Sequence, residues 1–149
     1  MPTTSPGSTK ARQAFGWTPP QFGHIPVVLG PDKKKLSKRH GASSVLQLRD
    51  EGYLVEALVN FMALLGWAYD GERELFSRDE LIQYFTLDHV HSSPAVFDRT
   101  KLDWMNGHYI RALDADELAK RILPFLTRAG IEADLETTGK LAPLVQERI

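Results

Sequence analysis

The 149-residue sequence contains no cysteine, which excludes disulfides and any thiolate zinc site within it. That absence fits a reducing compartment, and a cytoplasmic location is expected. Long apolar runs are missing too. No stretch approaches the roughly 18 consecutive apolar residues that cross a bilayer, so no membrane partner is expected. The opening Met1–Thr9 lacks the apolar core of a signal peptide, and residues 1–8 read as a disordered lead-in. Neither an internal repeat nor a run of coiled-coil heptads is present. Excess charge of one sign is also lacking, with 18 Lys and Arg against 19 Asp and Glu. What remains, 42% hydrophobic and 25% charged, is enough for a folded core in one ordinary domain or two small ones.

Near-neutrality hides an uneven distribution. Lys33 to Arg49 carries six basic residues and no acidic one, whereas Asp70 to Asp88 carries six acidic residues against Arg73 and Arg78. Local fields of this kind steer partners even when the sum is near zero. The basic stretch is concentrated in Gly30-Pro-Asp-Lys-Lys-Lys-Leu-Ser-Lys-Arg-His-Gly41, with five cations between positions 33 and 39. Lys35 and Lys38 flank Leu-Ser at a spacing that lets two mobile ammonium groups reach neighbouring phosphate oxygens. A solvated turn or a nuclear-import-like tract has the same composition. Pro31-Asp32 fixing the entry, Gly41 freeing the exit and a strand leading in all favour a loop that closes over a ligand.

Along the chain, Ser8 or Thr9 is expected to start a short helix through Phe15. The Trp17-Thr-Pro-Pro20 segment reads as extended, and His24–Leu29 as a strand. Ser43 or Ser44 caps a helix to about Glu51. Leu54, Leu58, Phe61, Met62 and Leu65 share one helical face, extended by Val55, Val59 and Leu64, with Glu56 and Asn60 as a narrow polar stripe. Ser77-x-x-Glu80 is a capping box before Leu81, Ile82 and Phe85. Thr100 to about Arg111 is a helix with Leu102, Met105 and Tyr109 on one side. Asp114-x-x-Glu117 opens another, burying Leu118, Ile122, Phe125 and Leu126, with a kink expected at Pro124.

From Leu29 to Val45, the segment Leu-Gly-Pro-Asp-Lys-Lys-Lys-Leu-Ser-Lys-Arg-His-Gly-Ala-Ser-Ser-Val resembles the KMSKS loop of class I aminoacyl-tRNA synthetases, in its glutamyl form of bacterial type. Glu51–Trp67, Ser93–Asp98, Lys101–Arg111 and the upstream Ala14–Pro26 resemble the same family, so the likeness covers about residues 9–149. It implies a mainly α chain: a short strand and KMSKS-type loop from the end of a Rossmann-like catalytic domain (9–50), a helical stem-contact region (51–112), and the start of an anticodon-side helical domain (113–149). The implied chemistry is ATP-dependent activation of glutamate and its transfer to tRNA(Glu), with Mg2+ accompanying ATP and the enzyme a monomer. Lys38 then places its ammonium on the phosphates, with Lys35 and Arg39 supporting and Ser37 holding the loop, while Val28 and Leu36 are candidate adenine contacts. Lys101, Trp104, Asn106 and Arg111 are the candidate tRNA contacts.

Read from residues alone, those four positions keep blander alternatives. Lys101 and Arg111 are by default solvated charges. Trp104 sits off the Leu102/Met105 face, while Trp67, Phe61, Phe85 and Tyr109 read as core. Asn106-Gly107 costs a helix about 1 kcal/mol relative to alanine, which points either to a close backbone approach or to a bend. His89 and His91 lack a third metal ligand. The family's His-x-Gly-His sequence, its amino-acid pocket and its acceptor-end domain have no counterpart in these residues. The chain is therefore expected to be an internal fragment that does not catalyse adenylation alone. A non-catalytic tRNA-binding module and a nonfunctional remnant are the alternatives.

Overall fold

Side-chain oxygens start most of the helices. The computed structural model describes residues 6–18, 25–37 and 44–148. Its elements in chain order are α1 (Pro6–Ala14), β1 (Val28–Leu29), α2 (Val45–Asp50), α3 (Val55–Ala63), α4 (Arg78–Tyr84), a 3-10 turn (Leu87–His89), β2 (Ala95–Val96), α5 (Arg99–Ala112), α6 (Ala115–Arg128) and α7 (Leu135–Gln146). Ser44, Ser77, Asp98, Asp114 and Asp134 each accept the backbone N–H three residues on, at the first turns of α2, α4, α5, α6 and α7. At Ser77 the box closes, since Glu80 accepts the Ser77 N–H at 2.8 Å. At Asp114 it does not, because the Glu117 carboxylate turns to Arg121 instead.

Helix α1 begins at Pro6 rather than at Ser8 or Thr9, proline being suited to a first helical position where its missing N–H has no partner to lose. Helix α6 runs through Pro124 to Arg128. The expected strand contracts to Val28–Leu29, and His24 lies outside the described residues.

Two glycines are required by geometry. Gly52 (φ +101°) closes α2 with the paired bonds Gly52 N–H to Arg49 O and Tyr53 N–H to Leu48 O, a left-handed C-terminal cap. Gly66 (φ +105°) follows α3, and a Cβ there would lie 2.8 Å from the Pro26 ring. The chain entering β1 is thus pressed against the helical body at a point that tolerates no side chain.

Strand β1 pairs in parallel with β2, Val28 with Ala95 and Leu29 with Val96, across an intervening α2–α4. Three apolar clusters hold the rest. Leu48, Leu58, Phe61, Leu102 and Met105 join α2, α3 and α5. Trp67, Phe76 and Leu81 fill the space under α4, while Ile110, Leu118, Ala119 and Ala142 join the end of α5 to the α6–α7 hairpin. The protein is mainly helical with one short two-stranded parallel sheet.

The faces of α3 differ from the periodic reading. Leu58 and Phe61 are buried, but Val55, Val59 and Met62 are exposed, and Asn60 is completely buried. The Asn60 amide has work inside. Its Nδ2 donates to Glu74 O at 3.0 Å, and its Oδ1 accepts the Phe76 N–H at 2.8 Å. The Tyr109 hydroxyl lies 2.6 Å from that same Oδ1 and 2.7 Å from Phe76 O. A satisfied amide in the core displaces the valines to the surface. On α4, Leu81 is buried while Ile82 and Phe85 face outward. On α6, Leu118 is buried and Phe125 is 37% exposed, its ring covered by the Arg128 guanidinium at 4.4 Å.

Candidate functional site

The basic loop leaves β1 through a defined turn. Lys33 N–H donates to Gly30 O at 2.9 Å, Gly30 N–H to Lys34 O at 2.8 Å, and Lys34 N–H to the Asp32 carboxylate at 3.0 Å. Lys33 sits at φ +61°, the left-handed region that L side chains seldom occupy. Lys35 then bridges Leu29 in antiparallel fashion, and Leu36 N–H donates to Val28 O at 2.9 Å. The turn folds the cationic segment back alongside the strand that delivers it. Lys33, Lys34 and Lys35 are exposed, whereas Leu36 and Ser37 are half-buried.

Val28 and Leu36, the candidate adenine contacts, are therefore bonded to each other through their main chains. The one Leu36 N–H is used in that bond. Lys38 and Arg39 lie outside the described residues, as do the residues through Ser43.

The strand pair carries the geometry onward. Phe97 N–H donates to Leu29 O at 2.8 Å, directly after β2, and Asp98 then caps α5. The start of the loop and the start of α5 are thus fastened to one ladder.

On α5, Lys101, Trp104 and Arg111 fall on one row at i, i+3 and i+10, opposite the buried Leu102 and Ile110. His108 sits at i+7 on the same row and is exposed, its ring edge-on to Tyr109 at 5.6 Å. It was legible from the same spacing once Trp104 was placed outside. Trp104 is 48% exposed, unlike the buried Trp67, and offers a flat apolar surface beside cationic neighbours. Lys101 is paired to Glu74.

Asn106 points the other way. Its Oδ1 accepts the Leu54 N–H at 2.8 Å, and its Nδ2 lies 3.4 Å from Gly52 O. It fastens α5 to the start of α3, which has no side-chain cap of its own. The polar pair Asn106-Gly107 therefore marks a close approach within the fold, Gly107 being buried.

Around this frame the ionisable groups are tied in pairs. Arg121 forks onto Glu56 with two 3.0 Å bonds and reaches Glu117 at 2.9 Å. The fork holds the Glu56 carboxyl below the usual range and raises the Arg121 guanidinium. Arg99 bonds Glu51 and the Tyr53 hydroxyl, which also donates to Asp103, and burial together with that carboxylate raises the Tyr53 phenol. The Arg73 guanidinium and the capping bonds pull Glu80 down to about 2. Among the described residues no group of three or more His, Asp or Glu side chains converges as a metal site, and no helix is long and apolar enough to cross a membrane.

A cationic segment thus turns back on a short parallel strand, and a capped helix fastened to the same strand pair bears an outward Lys–Trp–His–Arg row. The family profile for class I tRNA synthetases (E and Q), catalytic domain, matches residues 6–104, and the chain belongs to that family. It is 50% identical to the glutamate–tRNA ligase of Dehalococcoides mccartyi, over 100% of this chain and 32% of that protein. The glutamate–tRNA ligase of Borrelia recurrentis is likewise 50% identical, over 91% of the chain and 28% of the relative. Among solved structures, the glutamate–tRNA synthetase of Elizabethkingia anophelis superposes with a TM-score of 0.82 at 31% identity, covering 95% of this chain and 32% of that one. A glutamate–tRNA ligase from Elizabethkingia meningosepticum, solved in complex with its amino acid, gives 0.80 at the same identity and coverage. The chain spans about a third of the length of these relatives.

Proposed function

We propose that this chain is the part of a cytoplasmic glutamate–tRNA ligase that carries the KMSKS-type ATP loop and a tRNA-facing helix. The observation that supports it most is the Gly30–Lys35 turn. Bonds among Gly30, Asp32, Lys33, Lys34, Val28 and Leu36 lead a cation-rich segment off a strand in a fixed direction, at the residues whose sequence resembles the family's loop.

In the reaction, a carboxylate oxygen of glutamate attacks the α-phosphorus of ATP. The bond to the bridging oxygen breaks, and its electron pair leaves with pyrophosphate. The glutamyl group then passes from the adenylate to the terminal adenosine of tRNA(Glu), releasing AMP. No covalent nucleophile from the protein is needed, so the chain's own contribution is positioning and charge. Lys38 is assigned to the oxygens of the leaving pyrophosphate, with Lys35 and Arg39 adding to the same field. Ser37 is assigned to holding the loop conformation. Magnesium accompanying ATP would shield the same phosphate oxygens to which Lys35, Lys38 and Arg39 are assigned. Trp104, His108 and Arg111 present stacking surface and positive charge to the tRNA, and Asn106 serves by fixing α5.

The test has two parts. Within the full-length ligase, Lys38→Ala should lower ATP–pyrophosphate exchange about 10²- to 10³-fold, the size typical of removing one well-placed charge stabiliser. The 149-residue chain alone should show salt-dependent tRNA binding without exchange, because the α5 row is whole in it and a His-x-Gly-His sequence is not present. Exchange above background by the short chain, abolished by Lys38→Ala, would sink the division of labour.

A further inference from the structure

We infer that Glu74 masks Lys101, so that the tRNA backbone docks at the Arg111 end of α5 and Lys101 contributes little. The inference rests on the tRNA-binding role proposed for that row. Lys101 and Arg111 are three turns apart on one face, but their surroundings are opposite. The Lys101 ammonium is paired to the Glu74 carboxylate. Arg111 makes no side-chain ion pair among the described residues, and its main-chain carbonyl lies near the Gln146 amide.

Glu74 is not a drifting surface acid. Its carbonyl accepts a 3.0 Å bond from Asn60, which is completely buried, and Phe76 two residues on donates to the same amide. The backbone that presents the Glu74 carboxylate to α5 is thereby anchored in the core. Two nearby acids are committed elsewhere. Asp70 accepts the Glu72 and Arg73 N–H groups, and Glu80 is held by Arg73 and Ser77. Glu74 reaches across to α5. The segment from Asp70 to Asp88 also leaves this end of the row under a negative local field.

A lysine already neutralised by a fixed carboxylate gains little on meeting phosphate, because the carboxylate is then stranded beside the same anion. It also releases few counterions from the RNA, and that release supplies most of such affinity. The Arg111 end carries no such penalty. Trp104 and His108 lie between, so the row grades from neutral to cationic along about 15 Å of helix. A polyanion laid along it is held in one direction, and this directionality is what Glu74 supplies.

The experiment measures binding of a tRNA(Glu) transcript by the 149-residue chain against salt, with circular dichroism on each variant. Arg111→Ala should weaken binding about five- to tenfold and lower the log–log salt slope by about 0.7 to 0.9. Lys101→Ala should stay within about twofold, the scale of an exposed ion pair. Glu74→Gln should tighten binding about three- to fivefold and steepen the slope. In Glu74→Gln with Lys101→Ala the gain should vanish. A neutral Glu74→Gln, a Lys101→Ala loss equal to that of Arg111→Ala, or a gain that persists in the double variant would overturn the masking. If Arg111→Ala is also without effect, or the unaltered chain binds no tRNA, the RNA-binding reading itself falls and masking falls with it.

Discussion

Asn60 has a polar side chain on a nine-residue helix with apolar neighbours on both sides, and it is buried more completely than most of those neighbours. Its two amide atoms hold together three segments that share no local sequence: α3, the 74–76 connecting segment and α5 through Tyr109. Replacing it with leucine of similar volume would strand the Phe76 N–H and the Glu74 carbonyl in the core, each unsatisfied group costing about 1–3 kcal/mol. Asn60→Leu is therefore expected to destabilise the chain by about 2–4 kcal/mol, by the same unsatisfied-group scale, measured as a shift in urea midpoint. Asn60→Asp keeps the acceptor for Phe76 and loses the donor to Glu74, so its loss should be smaller near pH 4 than at pH 7, where an ionised carboxylate would face a carbonyl. Equal stability of the leucine variant and the parent would show that the amide network is incidental. The Tyr109 hydroxyl belongs to the same network, and its burial raises the phenol above its ordinary value.

Three capped helix starts and the Leu102/Met105 face of α5 were legible in the sequence, whereas the start of α1, the whole of α7 and the buried face of α3 were not. Ser44, Ser77 and Asp114 were read from oxygen-bearing residues three positions before a free N–H, a pattern confined to one turn and indifferent to what the helix packs on. The direction in which α3 points is another matter. With valine, leucine, phenylalanine and methionine around most of its circumference, periodicity leaves two apolar faces, and only the partners at Phe76 and Tyr109 choose between them. The cationic loop was legible because its chemistry is local, whereas the pairing of β1 with β2 spans 67 residues and carries no short-range mark. Gln146 belongs to that second kind. Its amide donates to Ile110 O at 2.9 Å and Leu113 O at 2.8 Å, with Arg111 O at 3.3 Å, at the C-terminal end of α5 where Ile110 O also accepts the Leu113 N–H. Gln146→Glu removes the donor and sets a negative charge against the negative end of the helix. It should cost about 1–2 kcal/mol and speed amide exchange in the last turn of α5, whereas Gln146→Lys, a donor of opposite charge, should recover most of the loss. Equal effects of the two charges would mean that the contact is steric.

At the scale of the whole chain, one interaction reaches between the α2–α5 body and the α6–α7 hairpin as a charged fork. Arg121 on α6 grips Glu56 on α3 with both guanidinium nitrogens while Glu117 steadies its Nε. Beside it, Leu54, Ile110, Leu118 and Ile122 make the apolar part of the same junction. Burial supplies affinity between the two units, and the fork, planar on both sides, supplies angle. Its strength must depend on pH in a definite sense. The Arg121 bond holds the Glu56 carboxyl below its ordinary value, so the folded form binds a proton less readily than the unfolded one. Stability from this source is fully present above the ordinary glutamate range, about 4.3, and drains away as pH falls through the lower folded value. Both side chains are about a third exposed, so solvent weakens the contact and the expected contribution is about 1 kcal/mol. Glu56→Gln should reduce stability by about that much at pH 7 and flatten the loss between pH 4.5 and lower values, while Arg121→Lys, which keeps charge but not the fork, should fall between parent and Glu56→Gln. A urea series at pH 7, 5 and 3.5 reads both. If the parent and Glu56→Gln lose stability in parallel across that range, the fork does not set the angle between the two units, and the apolar junction must hold it with the Gln146 and Arg128–Asp50 contacts.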